Sequence, residues 1–140
     1  MDYRRFGSKL FIRIDKSEEI LKQLQIVCTK EMVRLAEVKA LGALSEYTVG
    51  LFDPEKKEYH SRTFQGPAEI TSLWGTVTTM DGQFYAHIHL SAGDKEHRVT
   101  GGHLYEAIVG ATCEMILDIV DGTVEREFSP EIGLNLFKFV

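Results

Sequence analysis

The chain has 140 residues, which suits one domain with a real core and leaves little room for a second. Hydrophobic residues make up 44% and charged residues 26%, ordinary globular usage that excludes a disordered chain. A net charge of −5 and a sequence pI near 5.5 give no overall positive field to draw the chain to phosphate, although a local patch could still be basic.

Cys28 and Cys113 lie far apart and outside any Cys-x-x-Cys spacing, so reduced, core-packed thiols in a cytoplasmic protein are expected. No apolar run reaches membrane-spanning length, and the opening Met1-Asp2-Tyr3-Arg4-Arg5-Phe6 lacks the apolar core of a signal peptide. With three prolines, no repeat and no low-complexity linker, residues 1–140 read as a single domain.

In chain order, Leu10 to Ile14 reads as a strand. Asp15 or Ser17 is the expected cap of a following helix, with Asp15 and Glu18 at capping-box spacing. Ile20, Leu24, Val27 and Cys28 form its apolar stripe, and it ends near Glu31. Leu35 to Leu44 is apolar with small residues, and Glu46 to Phe52 alternates as a strand. Asp53 to Lys57 is a turn signal, and Glu58 to Phe64 returns as the second arm of a hairpin. Ala68 to Met80 and Gln83 to Leu90 flank the tight-turn pair Asp81-Gly82. Ala107 to Val120 is rich in β-branched residues and favours strand over helix. Val124 to Phe128 and Leu134 to Val140 look like terminal strands. The sum is an α+β domain: a strand-rich, largely antiparallel sheet with one main N-terminal helix.

The chemistry concentrates in His87-Ile88-His89 and Gly101-Gly102-His103, which hold three of the five histidines. Strand side chains alternate with a period of two, so His87 and His89 share a face. A third imidazole from a neighbouring turn completes the minimal protein half of an open metal site. Zinc suits three histidines with a free fourth position, and iron, nickel or copper remain open alternatives. The competing reading is a hydrogen-bonded polar cluster lining a cleft. Gly101-Gly102 reads as a positive-φ turn or a close backbone approach, with an anion-binding nest as a further option. Glu69, Asp94 and Glu114 are carboxylates that could orient a histidine or act as a base, beside the plainer reading of surface or paired acids. Arg13, inside an apolar strand, calls for a carboxylate partner. His60 and His97 read as solvated, and Trp74 as core or subunit interface. No serine-nucleophile elbow, phosphate loop or dinucleotide fingerprint occurs.

Over nearly its whole length the chain resembles the PPC domain, the plant and prokaryote conserved domain, in its single-domain prokaryotic form. The landmarks are Gly42-Ala43-Leu44, Gly50-Leu51-Phe52-Asp53 and Gly66-Pro67-Ala68-Glu69-Ile70-Thr71-Ser72-Leu73-Trp74-Gly75. Asp81-Gly82, His87-Ile88-His89, Ser91, Asp94, Gly101-Gly102-His103-Leu104 and Thr112-Cys113-Glu114 follow in order. Pro67-Ala68 departs from the arginine-phenylalanine pair of the plant version, and Ala107 stands where the family often has glycine. No Arg-Gly-Arg-Pro AT-hook core occurs, so minor-groove reading by such an arm is unsupported.

The resemblance implies a homotrimer and a fold like that of acetolactate decarboxylase, in which a similar His-x-His with a downstream His holds zinc. Carried over residue by residue, it nominates His87, His89 and His103 as metal ligands. Three functions follow as expectations. A binding or regulatory module with a metal or small-ligand pocket comes first. A DNA-binding regulatory protein, with DNA or a regulatory protein as partner, comes second. A metal-dependent enzyme on a small carbonyl or carboxylate comes third, since fold analogy does not carry activity with it.

Overall fold

Alternating apolar residues from distant parts of the chain pair into a few long strands rather than many short ones. The computed structural model describes residues 1–140. Its elements are β1 (Asp2–Phe6), β2 (Lys9–Asp15), α1 (Ile20–Lys30), β3 (Ala36–Asp53), β4 (Glu58–Met80), β5 (Gln83–Gly93), β6 (Val99–Ile119), β7 (Val124–Ser129) and β8 (Leu134–Phe139). β1 to β6 form one sheet in the order β1-β2-β6-β3-β4-β5, and every ladder is antiparallel. β5 also pairs back onto the first residues of β6, so β3, β4, β5 and β6 close a ring. β7 and β8 make a separate hairpin.

Three strands are longer than the segments read from sequence. β3 runs through both Leu35–Leu44 and Glu46–Phe52, with register shifts at Ala40/Gly42 and Leu44/Glu46. At each shift two steps along β3 match three along β4, and past Leu44 the buried positions of β3 change from Val38, Gly42 and Leu44 to Tyr47 and Val49, which breaks the alternation without ending the strand. Gly42 sits at one of them with φ 149° because a Cβ there would lie 2.3 Å from the Thr112 carbonyl oxygen. The Asp81-Gly82 turn has left-handed φ at both central residues, 52° and 74°, the geometry a two-residue hairpin needs. It sets Met80 opposite Gln83 and fixes the β4–β5 register.

The helix buries Ile20, Leu24, Val27 and Cys28 against the sheet, but neither Asp15 nor Ser17 caps it. The cap is Glu19, whose carboxylate accepts from Leu21 N at 3.0 Å and Lys22 N at 2.6 Å. The chain is first tied to β6: Ser17 N donates to Val109 O at 2.8 Å, and Val109 N donates to Glu18 O at 3.0 Å. Helical φ and ψ are incompatible with those bridges, so the helix begins only beyond them in the chain. Asp15 and Glu18 still form a local turn, with Asp15 N donating to Glu18 Oε2 at 2.8 Å.

One side of the sheet is core, with Leu10, Ile14, Val38, Leu44, Val77 and Leu117 among its buried side chains. The other side leaves Phe6, Phe11, Leu41 and Trp74 exposed. Trp74 is 54% exposed and donates Nε1–H to Glu37 Oε1 at 2.7 Å, so it stands outside the core of this chain. Arg13 pairs with Asp15 at 2.7 Å. No helix is long and apolar enough to cross a membrane.

Candidate metal centre

β5 is amphipathic with period two. Ile88, Leu90 and Ala92 are buried, while His87 and His89 turn to the opposite face. Strand register brings in the third imidazole, because His103 on β6 lies directly opposite His89 and also opposite Gly50 on β3. The ring centroids are 5.2 Å apart for His87–His89, 5.3 Å for His87–His103 and 6.0 Å for His89–His103. One ligand nitrogen from each ring can be chosen so that all lie within 4.8 Å of one another. The three histidines therefore converge within one chain.

Gly101 and Gly102 are strand residues, not a turn. They pair with Ser91 and Leu90, and neither has positive φ. Their role is close approach: a Cβ on Gly101 would meet Leu90 O at 2.6 Å, and one on Gly102 would meet Gly50 O at 2.5 Å. Both glycines lie inside the ladder, which removes the turn and leaves no backbone nest.

The triad opens into a cavity of about 660 Å³, within the range of small-ligand sites. Tyr59 packs against His103 at 5.0 Å between centroids, and Tyr105 packs at 5.2 Å. Leu51 and Phe52 supply one apolar wall, and Leu134, Leu136 and Phe137 of the terminal hairpin supply another. Tyr85, Asn135 and Arg126 complete the lining together with Gly50 and Gly102.

Burial and the neighbouring imidazoles push the His103 pKa down to about 4. Burial likewise lowers that of His87, with help from the positive charge of Arg126 and from His89. Both effects favour neutral imidazole, the form that binds a metal. His103 Nδ1 is buried and has no hydrogen-bond partner. A buried ring nitrogen left bare is unfavourable unless something coordinates or bonds it. Three converging imidazoles, one of which keeps a bare buried nitrogen, fit a divalent transition metal of the zinc type, which three histidines hold while leaving a fourth position free.

The other residues singled out from sequence lie elsewhere. Of Glu69, Asp94, Gly101, Gly102 and Glu114, only Gly102 lines the cavity. Glu69 and Asp94 line a different cleft; Asp94 binds Arg98 at 3.0 Å, and Glu69 is exposed. Glu114 is exposed on β6 opposite Arg13 and Leu41. Sequence reading missed Tyr59, Tyr85 and Arg126: strand alternation from His87 and His89 could have found Tyr85, whereas Tyr59 on β4 and Arg126 on β7 reach the cavity only through tertiary packing. His60 and His97 are exposed and outside the cluster, His60 lying 3.5 Å from Glu58.

Comparison with known proteins follows the same outline. Residues 1–121 match the family model described as the Plants and Prokaryotes Conserved domain. No curated protein matches the chain. Among solved structures, a provisionally named DNA-binding protein from Bacteroides thetaiotaomicron is 30% identical, with TM-score 0.96 over 99% of this chain and 96% of that one. A metal-containing protein from Archaeoglobus fulgidus is 30% identical, with TM-score 0.88 over 99% of both chains. A plant- and prokaryote-conserved protein from Pyrococcus horikoshii is 31% identical, with TM-score 0.86 over 99% of this chain and 94% of that one. At 12% identity, α-acetolactate decarboxylase from Bacillus subtilis shares the fold alone, with TM-score 0.58 over 87% of this chain and 57% of that one. The chain belongs to the Plants and Prokaryotes Conserved domain family.

Proposed function

We propose that the protein is a metal-binding module in which His87, His89 and His103 hold a divalent transition metal, zinc by preference, at the head of a small-ligand cavity. The observation that carries this reading is the convergence of three ligand nitrogens within 4.8 Å, one ring retaining a bare buried nitrogen. The metal-containing relative from Archaeoglobus fulgidus supports it at 30% identity. When bound, the metal supplies a Lewis-acid point for an oxygen or nitrogen of the ligand. The chain's own residues set its surroundings: Tyr59 and Tyr105 pack the His103 ring, and the terminal hairpin adds an apolar wall to the cavity. The module works as a homotrimer, a role for which the exposed Phe6, Phe11, Leu41 and Trp74 are available. Titration with cobalt(II) tests the metal reading. Visible absorption of a low-coordinate site should saturate at about one ion per chain and vanish in His89→Ala. Absence of a saturable band, with no zinc competition, would remove the reading.

A second reading, DNA binding, rests on the name of the Bacteroides relative. The basic residues near the N-terminus supply little free charge for it. Arg4 pairs with Asp2, Arg5 with Glu31, Lys9 with Asp118 and Arg13 with Asp15. Each cation already has a carboxylate beside it, so few counterions would be released on meeting phosphate. Retardation of duplex DNA at low salt, with a steep salt dependence, would promote this reading above the first.

A further inference from the structure

Arg126 lies on β7, beyond the residues matched by the family model, and is only 7% exposed. A guanidinium this deep ordinarily has a carboxylate partner, because an unpaired buried charge is costly. Arg126 has none. Its Nε donates to Thr78 Oγ1 at 3.0 Å, Nη1 to the Asn135 carbonyl at 3.0 Å and Nη2 to Thr76 Oγ1 at 3.5 Å. All three acceptors are neutral, and they leave two of the five N–H donors of a guanidinium unused. Tyr85 and Phe137 sandwich the group, each ring 4.6 Å from Cζ. The sandwich holds the charge by cation–π attraction without neutralising it.

The location is equally specific. Thr76 on β4 is the direct cross-strand partner of His87 on β5, so the arginine head is anchored one strand from the triad. Arg126 and all three histidines line the same cavity, and no aspartate or glutamate lines it. Glu125, next in sequence, is engaged by Thr79. The cavity therefore combines a fixed cation and a metal-ligating triad with no negative charge of its own. Leu51, Phe52, Leu134 and Leu136 add apolar wall, which suits a carbon skeleton better than an inorganic oxyanion.

We infer that Arg126 is the anion-recognition residue of this cavity and that its ligand is a small organic carboxylate carrying a second oxygen donor. The carboxylate takes the unused guanidinium N–H groups, and the hydroxyl or carbonyl oxygen is left for the metal end. The inference rests on the metal reading above. The β7–β8 hairpin is then a specificity element, because Arg126 is the one Lys or Arg side chain that lines the cavity.

The test is calorimetric titration of untagged, zinc-loaded protein with glycolate, lactate, pyruvate and malate, with lactamide and inorganic phosphate as controls. At least one acid should bind with Kd below about 1 mM, and lactamide and phosphate should bind at least about tenfold more weakly. Arg126→Gln should weaken the acid by about tenfold to a hundredfold with zinc content unchanged, and Arg126→Lys should recover part of the loss. If Arg126→Gln fails to fold, the acid-against-amide comparison on the unmodified protein decides. No binding by any of the four acids, equal binding of lactate and lactamide, or full affinity in a folded Arg126→Gln would each overturn the inference. Those results leave zinc content untouched, whereas failure of the metal reading appears as a protein that takes up no zinc.

Discussion

His89 and His103 stand directly opposite each other on β5 and β6, at the rung where that ladder meets the β3–β6 ladder. Their rings lie 6.0 Å apart at 82° to one another. Two of the three candidate donors are thus set by strand register, and the third, His87, lies two residues before His89 on the same strand. A site built this way is as rigid as the sheet that carries it.

Register control makes Gly75 a sensitive position. It pairs with Ile88, between the two strand histidines, and a Cβ there would lie 2.1 Å from the His87 carbonyl oxygen and 2.6 Å from Ile88 Cα. Backbone cannot yield as a side-chain tip can. Gly75→Ala should destabilise the fold by about 1–3 kcal/mol and weaken zinc binding in the fraction that still folds. Urea unfolding and zinc titration read the two effects, and an unchanged midpoint would count against the packing described here.

Metal-free protein should lose stability as pH falls from 7 to 5. The His103 pKa is pushed down to about 4, and that of His87 is lowered too, each chiefly by burial. The unfolded chain takes up its imidazole protons near about pH 6.5, before the folded chain does. Protons therefore favour the unfolded state in that window, and the contribution of these rings is complete only above it. The urea midpoint should fall with pH over this range, and less steeply in His103→Ala. A midpoint that rises towards pH 5 would contradict the assignment.

Both cysteines should be silent towards thiol reagents in the folded protein. Cys28 and Cys113 are 2% and 0% exposed, and burial pushes each thiol up to about 12. Thiolate is the reactive form, so neither burial nor protonation state allows attack. Titration with a chromogenic disulfide should release no thiolate from native protein and two equivalents after denaturation, one from each free thiol. Rapid native labelling of either residue would refute the placement.

Glu19 is the residue through which the helix is joined to the sheet. Besides capping Leu21 and Lys22, its carboxylate accepts from Ala107 N at 3.1 Å. Glu19→Ala strands all three donors, so its cost should lie at the upper end of the cap range, about 2 kcal/mol. Glu19→Gln keeps one acceptor oxygen and should cost less. Equal costs for the two variants would show that the cap bonds contribute little.

The cysteines, the helix stripe and the hairpin at Asp81-Gly82 were legible in the sequence because each depends on local pattern. The His87–His89 pair was legible for the same reason, strand alternation. His103 was placed beside them by motif, although Gly101-Gly102 turned out to be strand packed against Ser91 and Gly50 rather than a turn. β1 gave no signal, since Asp2 to Phe6 lacks alternation and is held only along its edge by β2. Arg126 was the least legible. Val124 to Phe128 reads as an ordinary terminal strand, and the arginine's burial exists only once Thr76, Thr78, Tyr85 and Phe137 surround it. Glu69, Asp94 and Glu114 lie near the histidines in sequence but away from them in space, because their strands run past the site before reaching them.

Elemental analysis of protein purified without a histidine tag tests the central claim most directly, with His89→Ala alongside because His89 is exposed and its truncation spares the core. The account predicts about one zinc or equivalent transition metal per chain, as purified or after adding zinc, and near-complete loss in a folded His89→Ala. Less than about a tenth of an equivalent in the unmodified protein, with no uptake from added zinc, would contradict it and leave the three histidines a polar cluster.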